Sequence, residues 1–331
     1  MMIVTQTYAR AGLLGNPSDG YYGRTISFTL KNFTARVTLT ESAELVIAPR
    51  PVDQNVFRDI AHLRETVSSQ GYYGGARLVK AAVKHFADDC TRQGITLPGR
   101  NCTLEYDTTI PRQVGLAGSS AIITATMKAL QQFYEVEIPK ERLPTLILET
   151  ETVELGITAG LQDRVVQVYE GCVYMDFERE IVEKSGHGHY EQLDPALLPS
   201  LWLAWRPDYR KVSGGMLSGL RERFDRGDRL TIETLAEIAD LAREGRDALL
   251  ARDTDQLARL MNRNFDLRRR IMPVDSGDLH LIETARGLGA AAKLTGSGGA
   301  VLGLCPSGTA VEECVETLRR LGAEVTIPGV I

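Results

Sequence analysis

Pro111-Arg-Gln-Val-Gly-Leu-Ala-Gly-Ser-Ser-Ala121 places two glycines and two hydroxyls directly ahead of an apolar helical run. Gly115 and Gly118 open backbone conformations closed to other residues and let a ligand approach the peptide plane. Ser119 or Ser120 suits the N-cap of a helix that continues through Ile122, Ile123, Met127 and Leu130. Free N–H groups at that helix start, helped by the helix dipole, suit an anion such as phosphate. A serine hydroxyl there also suits magnesium, which prefers hard oxygen donors and is usually shared with nucleotide phosphates. An ordinary loop and capped helix would read the same over these residues alone, so the rest of the chain has to decide.

Two further loops bear on the decision. Near the N-terminus, Ala9-Arg-Ala-Gly-Leu-Leu-Gly-Asn-Pro-Ser-Asp19 interrupts a β-like start with glycines and offers Arg10 and Asp19 as polar groups. Near the C-terminus, Lys293-Leu-Thr-Gly-Ser-Gly-Gly-Ala300 is a second flexible loop, followed by the buried-strand pattern Val301, Leu302 and Leu304. In order and spacing the three elements resemble the signature motifs of the GHMP kinases, the superfamily of galactokinase, homoserine kinase, mevalonate kinase and phosphomevalonate kinase. Four phrases sharpen the likeness: Gly15-Asn-Pro-Ser-Asp-Gly-Tyr-Tyr-Gly23, Ile110-Pro-Arg-Gln-Val-Gly-Leu-Ala-Gly-Ser-Ser-Ala-Ile122, Glu154-Leu-Gly-Ile-Thr-Ala-Gly-Leu-Gln-Asp-Arg-Val165 and Asn264-Phe-Asp-Leu-Arg-Arg-Arg270. These resemble plant-type glucuronokinases, which phosphorylate D-glucuronate at its anomeric oxygen.

The resemblance implies an α+β, two-domain GHMP kinase fold. Its N-terminal domain (1–190) would be like the second domain of ribosomal protein S5, its C-terminal domain (191–331) would be ferredoxin-like, and the active site would lie between them. It also implies ATP and Mg2+ as cofactors. Pro111, Gly115, Leu116, Ala117, Gly118, Ser119, Ser120 and Ala121 would cradle the phosphates, supported by Gly296, Ser297 and Gly298. Glu151 and Ser120 would hold the metal, and Asp163 would face the substrate hydroxyl as catalytic base. A carboxylate so placed can accept the hydroxyl proton as the new bond forms, while magnesium neutralises charge on the transferring phosphoryl group.

The substrate is left to the remaining polar groups. Arginine is best shaped to hold a carboxylate by two parallel hydrogen bonds, so Arg10, Arg24, Arg112 and Arg164 are the candidates within matched motifs. Arg164 could equally lower the pKa of Asp163, bind a substrate anion or form a structural ion pair. Asp19 could accept hydrogen bonds from sugar hydroxyls, and Tyr21 and Tyr22 could flank a ring. Arg268-Arg269-Arg270, at the end of an expected helix, reads as a solvated cluster that complements the helix dipole. Two departures from the family pattern stand out: Gly-Leu-Ala-Gly-Ser-Ser in place of Gly-Leu-Gly-Ser-Ser, and Ser297 where alanine is common. The first leaves open which serine meets the metal. The alternatives are another small-sugar kinase, galactokinase-like or acting on a heptose, a decarboxylase of the mevalonate diphosphate type, and a catalytically silent sugar sensor. The joint presence of Asp163, Glu151 and the paired hydroxyls speaks against the sensor.

Composition is compatible with this reading. At 331 residues the chain has room for about two domains. Its net charge of −5 argues against a general nucleic-acid binder, which needs a basic surface. Five scattered cysteines without Cys-x-x-Cys spacing suggest buried apolar packing in a reducing cytoplasm. With no signal-like segment and no apolar run of spanning length, a soluble cytoplasmic protein is expected, with a small sugar or uronic acid as partner and neither nucleic acid nor membrane. Gly287-Leu-Gly-Ala-Ala-Ala292 fits a loose dinucleotide pattern but follows a helix-like segment. No Gly-Lys pair exists for a Walker A loop, and His187-Gly-His189 lacks further ligands at metal spacing.

Periodicity predicts strands over 26–30, 35–40, 44–48, 102–106, 172–177 and 201–205 and helices over 75–89, 119–134 and 141–155. A mostly helical stretch over 216–270 and a strand, helix and strand over 300–328 follow. The segment 179–195 is the expected domain boundary.

Overall fold

The computed structural model describes residues 1–48, 74–207, 215–306 and 311–330. Strand β1 (Met2–Leu14) alternates exposed and buried residues up to Thr7, then is buried continuously from Ala9 to Leu14. The alternation marks a strand with one wet face, and the continuous run marks its passage beneath a second layer. β1 pairs antiparallel with β2 (Arg24–Ser42). The two strands expected over 26–30 and 35–40 are thus one, carried across the exposed Lys31 and Asn32 where the pairing with β1 shifts register. One half of β2 pairs with β5 (Cys172–Asp176) and the other with β4 (Asn101–Thr108). With β3 (Val46–Ile47) and β6 (His189–Leu193) the sheet runs β3-β4-β2-β5-β6, and β1 pairs with β2 off this path.

Helices α1 (Gly75–Arg92) and α2 (Gly118–Tyr134) cover this sheet. Leu78, Val79, Ala82 and Phe86 of α1 and Ile123, Met127, Leu130 and Phe133 of α2 enter one core with the inward residues of β1 and β2. The helix expected over 141–155 divides into α3 (Leu143–Glu149) and a single π turn, Thr150–Glu154. The Thr150 and Thr152 hydroxyls donate to the carbonyls of Leu146 (2.9 Å) and Leu148 (3.0 Å), a pattern that bends helices. Helix α4 (Gln162–Tyr169) then leads into β5. The segment 179–195 contains helix α5 (Arg179–Ser185) and the edge strand β6, so the first sheet extends to Leu193.

The second sheet comprises β7 (Leu201–Trp205), β8 (Ala291–Leu294), β9 (Ala300–Leu304) and β10 (Glu324–Thr326). It is antiparallel in the order β10-β7-β9-β8, which is 4-1-3-2 counted within the sheet and is the ferredoxin-like arrangement. Between β7 and β8 run α6 (Gly215–Asp225), α7 (Arg229–Leu250), α8 (Thr254–Ile271) and α9 (Ser276–Gly287), and α10 (Val311–Arg320) precedes β10. Helices α7 and α8 join both halves: Leu235, Ile238, Leu257 and Met261 lie in the same core as β1 and β2. A Cβ on Gly245 of α7 would come within 2.1 Å of the Leu14 side chain, so glycine is what lets this helix lie so close to the strand. The architecture is the α+β arrangement the sequence implied. All five cysteines are buried and free, and among the described residues no helix is long and apolar enough to cross a membrane.

Candidate active site

A cleft of about 410 Å³ opens where the end of β1, the loop before α2, the start of α4 and the loop between β8 and β9 converge. Backbone contacts hold this junction together. Gly12 N–H donates to Thr295 O (2.9 Å) and Arg10 N–H to Leu116 O (3.3 Å). A Cβ on Gly115 would lie 2.6 Å from Gly298 O, and one on Gly296 would lie 2.6 Å from Gly115 O. The middle and C-terminal glycine loops therefore interlock in a space that no side chain could share.

The middle loop turns through left-handed backbone at Gln113 (φ 62°), Gly115 (φ 76°) and Ala117 (φ 61°) before α2 begins at Gly118. The cap position is Ala117, with no side-chain cap, in place of the Ser119 or Ser120 expected from sequence. The serines instead occupy the first turn, ahead of the first helical bond from Ala121 N–H to Ala117 O (3.1 Å). This leaves the N–H groups of residues 118–120 before the ladder, the arrangement that receives an anion. Ser119 lines the cleft; Ser120 is buried and donates its hydroxyl proton to Ala117 O (3.1 Å). Pro111, Gly115, Leu116, Ala117, Gly118, Gly296 and Ser297 also line the cleft. Ala121 is buried in the core, and Gly298 touches Gly115 from outside the lining.

Asp163, in the first turn of α4, is held between two arginines. Arg10 Nε donates to its Oδ1 (2.5 Å) and Arg164 Nη1 lies 3.4 Å from its Oδ2. Arg10 also donates through Nη1 to Gly115 O (2.7 Å), so one guanidinium joins the base candidate to the phosphate loop. Arg164 is committed elsewhere: Nε and Nη2 both donate to Glu151 Oε2, and Nη1 donates to Gly160 O (2.7 Å). Arg164 thus forms an ion pair with Glu151 and at the same time sets a second cation beside Asp163.

The π turn sorts the three acidic residues of the preceding segment. Glu149 and Glu154 face α1, where the two His85 ring nitrogens sit 3.2 Å and 3.4 Å from them and Lys84 reaches Glu154 at 2.8 Å. Glu151 is 1% exposed and lines the cleft. Both hydrogen bonds that Arg164 makes to it fall on Oε2.

Asp19 lies beside this group and accepts from Gln162 N–H and Gln162 Nε2 (both 3.2 Å). Burial, reinforced by the charge of Asp163, pushes its carboxyl up to about 6, against the opposing pull of the Gln162 N–H, Arg164 and Arg10. A Cβ on Gly160 would strike Asp19 Oδ2 at 2.0 Å, which accounts for the glycine that ends the loop before α4.

Two of the expected substrate groups stand outside the cleft. Arg24 pairs with Asp176 (2.7 Å) and Glu178 (3.1 Å), and the exposed Tyr22 sits under the Arg179 guanidinium at 4.4 Å. Tyr21 lines the cleft instead, and so does the exposed Arg112. Sequence reasoning missed three residues. Arg268, which was read as part of a solvated cluster, is 3% exposed and donates to Gly296 O. Its signal was available: Asn264 and Arg268 stand four residues apart on the face of α8 that also carries Leu257, Leu260 and Met261, so the face is buried. Lys293 is fully buried, its ammonium donating to Asn16 Oδ1 (2.7 Å), Gly12 O (2.9 Å) and Leu294 O (2.9 Å). Burial, with Arg268 and Arg10 nearby, pushes it well below the usual lysine range. Arg221 reaches the cleft from α6, in a segment without any motif. Among the described residues no cluster of three or more His, Cys, Asp or Glu side chains could hold a metal, His187 and His189 included.

Residues 77–171 match the GHMP kinases N terminal domain and residues 246–324 the GHMP kinases C terminal domain. The chain is 46% identical over 324 residues to glucuronokinase 1 of Arabidopsis thaliana, covering 96% of this chain and 89% of the relative. It is 48% identical over 330 residues to probable glucuronokinase 2 of the same plant, covering 98% and 90%. The fold superimposes on a Lactococcus lactis galactokinase complexed with galactose with a TM-score of 0.78 at 16% identity, over 99% of this chain and 93% of that one. The interlocked glycine loops, the cleft acids and these matches lead to one conclusion: the chain belongs to the GHMP kinase family.

Proposed function

We propose that this chain is an ATP- and magnesium-dependent sugar 1-kinase that converts D-glucuronate to glucuronate 1-phosphate, with ADP as the other product. The observation that carries the reading is the position of Asp163, fixed by Arg10 against the loop whose N–H groups suit a phosphate. The choice of glucuronate rests on the relatives named glucuronokinase, at 46% and 48% identity.

In this reading Asp163 accepts the proton of the anomeric hydroxyl as its oxygen bonds to the terminal phosphorus and the bond to the ADP oxygen breaks. Arg10 keeps the carboxylate aimed, and the Gly115–Ser119 backbone with Gly296 and Ser297 cradles the phosphates. Glu151, with the hydroxyl of Ser119 or Ser120, fits magnesium: both are hard oxygen donors on or beside the cleft wall, and such an ion draws its other ligands from phosphate and water. When bound, magnesium neutralises negative charge on the phosphates. Asp19 and Gln162 stand beside Asp163 for contacts with sugar hydroxyls. A division into domains near residues 190–191 and a cytoplasmic location belong to the same reading.

ADP release with ATP and magnesium, measured across glucuronate, galacturonate, galactose, glucose and mevalonate, tests the proposal. Turnover strongest on glucuronate supports it. Turnover on another sugar alone would keep the kinase and discard this substrate.

A further inference from the structure

A uronic acid entering this cleft adds a negative charge to a wall that already carries Asp19, Asp107, Glu151 and Asp163. Its carboxylate therefore needs a cation at the sugar end, and five arginines line the cleft: Arg10, Arg112, Arg164, Arg221 and Arg268. Arg10 and Arg164 are committed to Asp163 and Glu151. Arg268 donates to Gly296 O, and Arg112 belongs to the loop ahead of α2, so both stand with the phosphate-binding elements.

Arg221 differs from the others. It comes from α6 in the second half of the chain and donates to the carbonyl of Gly20, next to Asp19. Its guanidinium carbon lies 4.5 Å from the centre of the Tyr21 ring, which with Phe224, 4.9 Å away, forms an aromatic support. Among the described residues the one carboxylate within 4.0 Å of Arg221 is Asp225, at 3.7 Å. A guanidinium has five N–H donors in a planar fork; with one hydrogen bond to Gly20, this one keeps donors for a second planar anion.

We infer that Arg221 binds the acceptor's carboxylate and sets the preference of the cleft for a uronic acid over the corresponding neutral sugar. The inference rests on the sugar-kinase reading above. It assigns discrimination to α6, a helix that carries none of the base or phosphate-loop residues, so substrate choice and phosphoryl transfer are served by separate elements.

Steady-state ADP release with glucuronate and with glucose, for the wild type, Arg221→Gln and Arg221→Lys, tests it. In Arg221→Gln, kcat/KM for glucuronate falls about 10- to 100-fold, the usual consequence of losing a hydrogen bond between charged groups. The loss lies mainly in KM, KM for ATP stays within about twofold of wild type, and glucose turnover falls far less. Arg221→Lys restores part of the loss because it keeps the charge without the fork. A glucuronate-to-glucose preference unchanged in Arg221→Gln overturns the assignment alone. An equal loss on both sugars assigns Arg221 to supporting the Asp19 loop and also overturns it. A wild type with no preference for glucuronate overturns the inference together with the substrate reading.

Discussion

Asp19 should make the protein's stability depend on pH in a direction opposite to that of an ordinary ion-paired carboxylate. Its folded-state pKa is raised from 3.8 to about 6, first by burial and then by the charge of Asp163. Between these values the folded chain binds a proton that the unfolded chain has released, so stability falls as pH rises through this window. Below about pH 4 both states are protonated and the cost is absent; above about pH 6 it is complete. A shift of about two units, at 1.36 kcal/mol each, amounts to roughly 3 kcal/mol. The perturbation is Asp19→Asn, which keeps the shape and removes the titration. Urea unfolding of both proteins at intervals from pH 4 to pH 7.5 gives the stability difference at each pH, and contributions from groups that do not interact with Asp19 cancel in that difference. The variant gains on the wild type by about 3 kcal/mol between the ends of the range, whatever its constant offset from the altered Gln162 hydrogen bonds. A difference that stays flat, or that moves in favour of the wild type as pH rises, would refute the account of Asp19 as a carboxylate whose burial outweighs its cationic neighbours.

Asp163→Asn is expected to lower kcat about 10²- to 10⁴-fold in the ADP-release assay, the range for loss of a general base, with KM for ATP little changed; retention of near-wild-type kcat would remove Asp163 from that role. Arg164→Ala leaves the buried Glu151 carboxylate unpaired and should destabilise by about 3–5 kcal/mol in urea unfolding, and Glu151→Gln added to it should recover part of the loss because the charge is gone. Gly115→Ala puts a Cβ 2.6 Å from Gly298 O at a φ of +76°, so thermal unfolding should show a loss of about 1–3 kcal/mol from strain alone. KM for ATP should rise with it as the two loops part, and an unshifted melt would show that they do not interlock.

Much of the fold was legible because its determinants are local. The apolar spacing of α1 and α2, the alternating start of β1 and the apolar run of β9 each follow from a few neighbouring residues. The glycine loops were legible for the same reason, and the clash distances at Gly115 and Gly296 now supply their physical basis. Errors arose where a distant partner overrides the local signal. Ser119 and Ser120 are good caps by type, yet left-handed backbone at Ala117 starts the helix before them. The strand His189–Leu193, absent from the periodicity reading, forms because β5 offers its free side.

The sequence by itself determined which segments are helix, strand and glycine loop, and which acids and arginines were available, since these depend on side-chain type and spacing. The tertiary structure decided which charges meet: Arg10 finds Asp163 across 153 residues and Lys293 finds Asn16 across 277. It also selected Glu151 over Glu149 and Glu154 for the cleft, excluded Tyr22 and Arg24 from it and brought Arg221 in from the second half. The reason is that a charge's role depends on its burial and its partners, and in this fold both come from the packing of strands and helices distant in the chain.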